Sequence, residues 1–310
     1  MRMLKKVISL IITLFFVSLI TFFAFRVIPG DSAITKLGMD ASKEQIESFR
    51  EALGLNDGLP TQYVRFLKDA LQGDFGKSIQ YNTPVSTLIQ ERLPVTVWLA
   101  FLSFLLIVIV SVPLGLLASK KEDSIMDRII TLLTQTFMAI PAFFLGIIIT
   151  LVFGVVLHWF SPGGYVKPSS NFGRFLSYMI YPALAVSIPK IAMMVKFLKT
   201  SVLRELNLDY VRTAKSKGQR KNVILYRHVL KNALMPVITF LGMITAESLA
   251  GSIVVEQVFN LPGMGRLLIT AIFNRDYSVV QAVVLYVAAI VIIINFLVDL
   301  LYRKVDPRVD

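Results

Sequence analysis

"VTVWLAFLSFLLIVIVSVPLGLLA", Val95–Ala118, passes through 24 positions without a charged side chain. At 1.5 Å per residue, a helix of that length covers roughly 36 Å, more than the roughly 30 Å of hydrocarbon in a bilayer. A helix on the surface of a soluble domain keeps a polar face toward water, and this run has none. Five more apolar runs accompany it: Val7–Ile28, Ile129–Leu157, Tyr178–Val195, Ala233–Val255 and Val279–Val298. Their ionisable exceptions are Arg26, Lys190 and Glu247. With 55% hydrophobic and 17% charged residues in 310, the chain reads as an all-α membrane protein with six transmembrane helices.

Six spans return the chain to its starting side, and the distribution of Lys and Arg identifies that side. The segments shared with the termini, Met1–Lys6, Ser119–Arg128, Lys196–Asn232 and Arg303–Asp310, hold 19 of them. The two short loops opposite, His158–Ser177 and Glu256–Ser278, hold two each. The long loop Pro29–Pro94 holds seven against nine acids, and loops of that length weigh little in the rule. Both termini are therefore expected in the cytoplasm and the long loop outside. The expected organisation is a cytoplasmic start and first helix over 1–28, an extracellular helical cap over 29–94, and a permease core over 95–310 that includes a basic loop at 196–232. The opening "MRMLKKVISLIITLFFVSLITFFAF" has the charged start of a secretory signal, but its apolar run is about twice the usual length and no small-residue cleavage site follows, so a retained helix is expected.

The outer loop is too long to be a bare connector. "SKEQIESFREALGL" has the capping-box pair Ser42 and Gln45 and a stop at Gly54, and "PTQYVRFLKDALQG" runs from Pro60 to Gly73, so two short helices are expected there. "GDFGKS", Gly73–Ser78, imitates a phosphate loop, yet Leu71 stands where the first glycine should be and a helix, not a buried strand, precedes it. The chain has no cysteine, hence no disulfide or thiolate metal site, and His158 and His228 lack metal-ligand spacing, so no metal site and no catalytic residue are assigned.

The basic loop holds ten Lys and Arg against Glu205 and Asp209. Topological anchoring to anionic lipid accounts for charge, but it needs no architecture, and this segment has one. A helical composition from Ser201 to Ser216 ends at Gly218, which can reverse the chain. Beyond it, residues set at 100° place Arg220, Lys221, Arg227, His228 and Lys231 on one side. Val223, Leu225, Tyr226, Val229, Leu230, Ala233 and Leu234 fall on the other, with Ile224 out of pattern. Two short surface helices joined at a glycine are expected, leading into the fifth span.

"DYVRTAKSKG" followed by "RHVLKNALMPVI" resembles the cytoplasmic signature of permease subunits of binding-protein-dependent ABC importers, in the oligopeptide/dipeptide/nickel branch. "RVIPGDSA", "LGLNDGLPTQYVRFLKDALQGDFGKSI", "VVEQVFNLPGMGRLL", "NRDYSVVQA" and the terminal "DPR" are similar to that branch in the same order, and the large first outer loop resembles its B-type subunit. Arg212, Thr213 and Ala214 stand where the broad importer signature has Glu-Ala-Ala, a departure that matches the peptide branch.

The resemblance implies a coupling hairpin that fits a cleft on a separate ATPase, with Asp209, Tyr210, Arg212, Thr213, Ala214, Lys215, Lys217 and Gly218 as the coupling residues. It implies a second homologous permease subunit, two ATPase subunits that carry the ATP and Mg, and an extracellular solute-binding protein. No cofactor belongs to this chain, which is not itself an enzyme. It implies a multi-pass protein of the bacterial or archaeal cell (inner) membrane, in contact with lipid and with no nucleic acid. Cargo contacts are expected near the midplane, where Pro113, Pro141, Pro182 and Pro189 loosen the spans, and Pro141, Lys190 and Glu247 are the pathway candidates. Counted from the cytoplasmic ends of their apolar runs, Lys190 lies roughly 8–10 Å deep and Glu247 roughly 20 Å. Glu247 is expected to face the pathway or a neighbouring helix, with Lys190 approaching it.

Two other classes compete. An ion-gradient-driven secondary transporter would usually show an internal repeat of spans, and none is visible. A nucleic-acid tether would interleave aromatic residues among its cations, whereas the basic loop has Tyr210 and Tyr226 alone and is half apolar.

Overall fold

The computed structural model describes residues 2–27, 42–52 and 56–305. Helices account for most of them, and the one β-contact among them is an isolated bridge between Lys77 and Pro84. In chain order the α-helices are α1 (Arg2–Val27), α2 (Lys43–Ala52), α3 (Leu59–Leu71), α4 (Val85–Lys120), α5 (Ile125–Ala139), α6 (Ala142–Ile149), α7 (Phe172–Leu206), α8 (Asp209–Ser216), α9 (Leu230–Val258), α10 (Met264–Phe273) and α11 (Tyr277–Val305). The short turn Lys221–Val223 and a π-helical segment, Ile224–Val229, lead into α9, and a second π segment, Thr150–Val156, extends α6. Among the described residues five helices are long and apolar enough to cross a membrane. The helix pair α5 and α6, bent by 100°, makes a sixth if it is counted as one span.

That bend departs from the expectation of one continuous helix over Ile129–Leu157. Pro141 has no N–H to donate and disfavours the helical region for the residue before it; Ile140 sits at φ −90°, ψ 123°. Pro182, Pro189 and Pro236 stay inside continuous helices, so proline by itself did not mark the break.

The contacts divide the chain into two compact units, Met1–Val95 with Pro262–Ile292 and Thr96–Leu261 with Ile293–Asp310. In the first unit the capping box of α2 forms as the sequence predicts: the Gln45 amide donates to Ser42 Oγ at 3.2 Å and the Ser42 amide to Gln45 Oε1 at 3.1 Å. Gly54, the expected stop of α2, lies outside the described residues. α3 packs on α1 through Tyr63 and Phe66, whose rings lie 5.3 and 5.6 Å from Phe22, and Tyr63 shares a 2.8 Å hydrogen bond with Ser18. Both glycines of "GDFGKS" adopt φ +75°, so they serve as turn positions. The turn is held by Asp276, a fully buried acid that accepts the Ser78 hydroxyl at 2.5 Å and the Gln80 amide at 3.2 Å.

In the second unit α7 packs against α5, α6 and α9. Asp127, near the start of α5, receives the Lys199 ammonium at 2.5 Å and the Asp123 amide at 3.1 Å, fixing α5 to α7. Tyr178 donates to the Phe259 carbonyl at 2.6 Å and accepts the Gly163 amide at 3.1 Å, which ties the loop after α6 to the end of α9. Glu256 is fully buried and accepts the Thr96 hydroxyl at 2.6 Å. α9 and the far end of α11 meet at Gly242, where a Cβ would stand 2.4 Å from both methyls of Val298. Val298 is stiff at χ1 and cannot swing away. Gly242→Ala is therefore expected to lower stability by about 1–3 kcal/mol, read as a lower unfolding midpoint in detergent, whereas Gly242→Ala combined with Val298→Ala should recover only part of the loss, because the Cβ at 298 itself would stand 2.8 Å from the new methyl.

Candidate coupling hairpin and membrane ion pair

α8 is eight residues long, too short to persist by itself in water. Its stop is a Schellman motif: the Gln219 amide bonds to the Ala214 carbonyl at 3.3 Å and the Gly218 amide to the Lys215 carbonyl at 3.0 Å, with Gly218 at φ +75°. A side chain at 218 would meet nothing within 4 Å, so glycine is required there by backbone conformation and not by space. Asp209 in the first turn faces the positive end of the helix dipole.

The stabilisation of α8 comes from packing. Val211 is fully buried and Ala214 nearly so, in one apolar cluster with Ile224, Leu225, Val229, Ala233 and Val237. The same cluster contains Met194, Leu198 and Val202 of α7 and Ile107 of α4. Tyr210 donates to Glu205 Oε2 at 2.7 Å. Burial first, and then the neighbouring Glu205 carboxylate, hold the Tyr210 phenol above its usual value of 10. This tie is therefore complete below pH 10 and is lost only as pH rises through the raised value.

The eight expected coupling residues divide by environment. Asp209, Arg212, Thr213, Lys215, Lys217 and Gly218 are exposed, while Ala214 is buried and Tyr210 half-buried. Arg212 and Asp209 approach to 3.4 Å, but both are so exposed that the pair adds little. After Gly218 the 100° wheel misplaces three residues. Ile224 is 1% exposed, while Val223 and Tyr226 face outward. The π segment over Ile224–Val229 is the cause, because its i→i+5 bonds put more residues into each turn and move the apolar face by about one position.

Lys190 on α7 and Glu247 on α9 form an ion pair at 2.5 Å. The depths counted along their apolar runs differ by about 10 Å, so the run ends on the two helices do not lie at one level. The lysine stem supplies part of the remaining reach. Pro141 is the N-cap of α6, which packs on the two helices that carry the pair. Three buried acids, Asp127, Glu256 and Asp276, escaped the sequence reading of candidate residues. The visible signal was a lone acid in an apolar setting, as in "SIVVEQVF". Among the described residues no group of three or more His, Cys, Asp and Glu could hold a metal ion.

Residues 111–310 match the family model described as the binding-protein-dependent transport system inner membrane component, and residues 1–100 match the N-terminal model of the same membrane component. The oligopeptide transport system permease protein AppB of Bacillus subtilis (strain 168) is 38% identical over 297 residues, which is 95% of this chain and 94% of the relative. The "Probable peptide ABC transporter permease protein y4tP" of Sinorhizobium fredii (strain NBRC 101917 / NGR234) is 35% identical over 306 residues, 99% of this chain and 98% of the relative. The match runs through both the first-span region and the hairpin, and the chain belongs to the family of inner membrane components of binding-protein-dependent transport systems, as an ABC permease subunit of the peptide branch.

Proposed function

We propose that this chain forms, with a second homologous permease subunit, the membrane pathway of an ABC importer for peptides or chemically similar small solutes. The observation that carries the reading is the cluster in which α8 and the π segment share one apolar core with α4 and α7. A cationic projection fused to the spans in this way transmits displacement, because packed interiors deform little and move as bodies. In this proposal Asp209, Arg212, Thr213, Lys215, Lys217 and Gly218 present the surface that meets an ATPase subunit. Ala214 and Tyr210 secure the elbow from beneath.

The sequence carries no phosphate loop, so the energy is assigned to two separate ATPase subunits, which bind ATP and Mg. An extracellular solute-binding protein delivers cargo, with the cap helices α2 and α3 as its dock. The charge distribution supports cytoplasmic termini and an outward cap in a bacterial or archaeal inner membrane. Pro141, Lys190 and Glu247 are assigned to the cargo pathway.

The complex reconstituted in sealed vesicles should take up a peptide mixture when its binding protein is outside and ATP reaches the ATPases. Uptake driven by a proton or sodium gradient without ATP would replace the proposal with a secondary transporter. Gly218→Ala should lower stability of the assembled permease by about 1–2 kcal/mol, the cost of a left-handed residue bearing a Cβ. It should also reduce the uptake obtained per ATP hydrolysed, while Gly218→Asn retains more of both. Equal behaviour of the alanine variant and wild type in both assays would remove Gly218 from the coupling elbow.

A further inference from the structure

The Lys190 ammonium and the Glu247 carboxylate meet at 2.5 Å within membrane-spanning helices, yet their surroundings differ. The Lys190 side chain is 14% exposed and that of Glu247 is 62% exposed, so the base is held in the bundle and the acid lies on its surface. Met243 and Val254 are exposed on α9 to either side of it, four residues before and seven after, which puts the carboxylate within an apolar stripe. A carboxylate turned toward lipid is costly, and ions within spans characteristically face a bundle interior or a watery path. The Glu247 carboxylate thus keeps a face that no other part of this chain covers.

We propose that Glu247 is an ammonium-binding site in the translocation pathway, occupied at rest by the Lys190 side chain and taken over by the protonated α-amino group of a passing peptide. This deepens the importer reading and rests on it. The exchange is like for like, since each cation is a primary ammonium with three N–H donors. The carboxylate passes from one ammonium to the next and is never left bare, which avoids the penalty of an uncompensated ion. Lys190 has a flexible stem of four carbons and can withdraw along α7 toward the nearer membrane face.

The test uses the full complex in vesicles, with its binding protein and a synthetic mixture of lysine-free peptides as cargo, half of it N-acetylated, and mass spectrometry of the peptides taken up. The wild type should favour free-amine peptides over acetylated ones. Glu247→Gln should lower that preference by about tenfold, the scale of one charge-assisted contact, while acetylated peptides still enter. Lys190→Gln/Glu247→Gln should behave as Glu247→Gln does. An unchanged preference in assembled Glu247→Gln complex overturns the proposal, and so does a preference regained in the double variant, which would trace the effect to the bare Lys190 cation. Failure of Glu247→Gln to co-purify with the ATPases also overturns it, because the pair would then serve assembly. Uptake of neither peptide class by the wild type would contradict the peptide-importer reading itself, a result distinct from the others.

Discussion

The structure depends on one apolar cluster that belongs to two places at once. Val211, Ala214, Ile224, Leu225 and Val229 come from the hairpin, and Ile107, Met194, Leu198 and Val202 from helices long enough to span a membrane. An eight-residue helix gains too few backbone bonds to persist alone, so α8 exists because two of its side chains enter this cluster. Its remaining residues are then free to be charged. The exposed Lys and Arg side chains of the hairpin stand on a platform whose underside is packed into the spans. Side-chain deletion in this cluster would loosen the hairpin and the bundle together.

Much of this arrangement was legible from residue patterns. Uncharged runs announced the spans because hydrocarbon tolerates few charges, and Ser42 with Gln45 announced a helix start because two side chains can satisfy two amides at once. Gly218 was legible as a chain reversal because only glycine adopts φ +75° without strain. The features that were not legible share a cause, namely dependence on geometry that local periodicity does not encode. Ile224 looked exposed on a wheel of 100° per residue, and the π segment turned it inward. Pro141 looked like Pro182 and Pro189, yet the chain bends by 100° there and runs on through the others. Asp127, Glu256 and Asp276 became recognisable as buried acids only when their partners Lys199, Thr96 and Ser78, distant in sequence, were brought beside them.

The Lys190–Glu247 pair shows how two requirements meet at membrane depth. Neither ion is tolerated there without compensation, and pairing supplies it. Yet the two side chains are unequally exposed within this chain, the base enclosed and the acid open. A fully enclosed pair would be inert, and a lone acid would be costly. An acid carrying a removable cation lies between these limits, which is the state proposed for Glu247. The same reasoning separates this pair from Asp127 and Lys199, whose carboxylate is enclosed and receives further hydrogen bonds, as expected of a structural tie.

A hairpin and spans that share this cluster should move as one body. Because the chain has no cysteine, Asn222→Cys in the exposed turn after Gly218 and Ile109→Cys on α4 can carry paired spin labels in the assembled complex without further substitution in this chain. One narrow distance between them is expected, the same in nucleotide-free and ATP-bound complexes that transport cargo. A distance that shifts or splits when ATP binds would show the hairpin bending away from the spans, and the claim would be wrong.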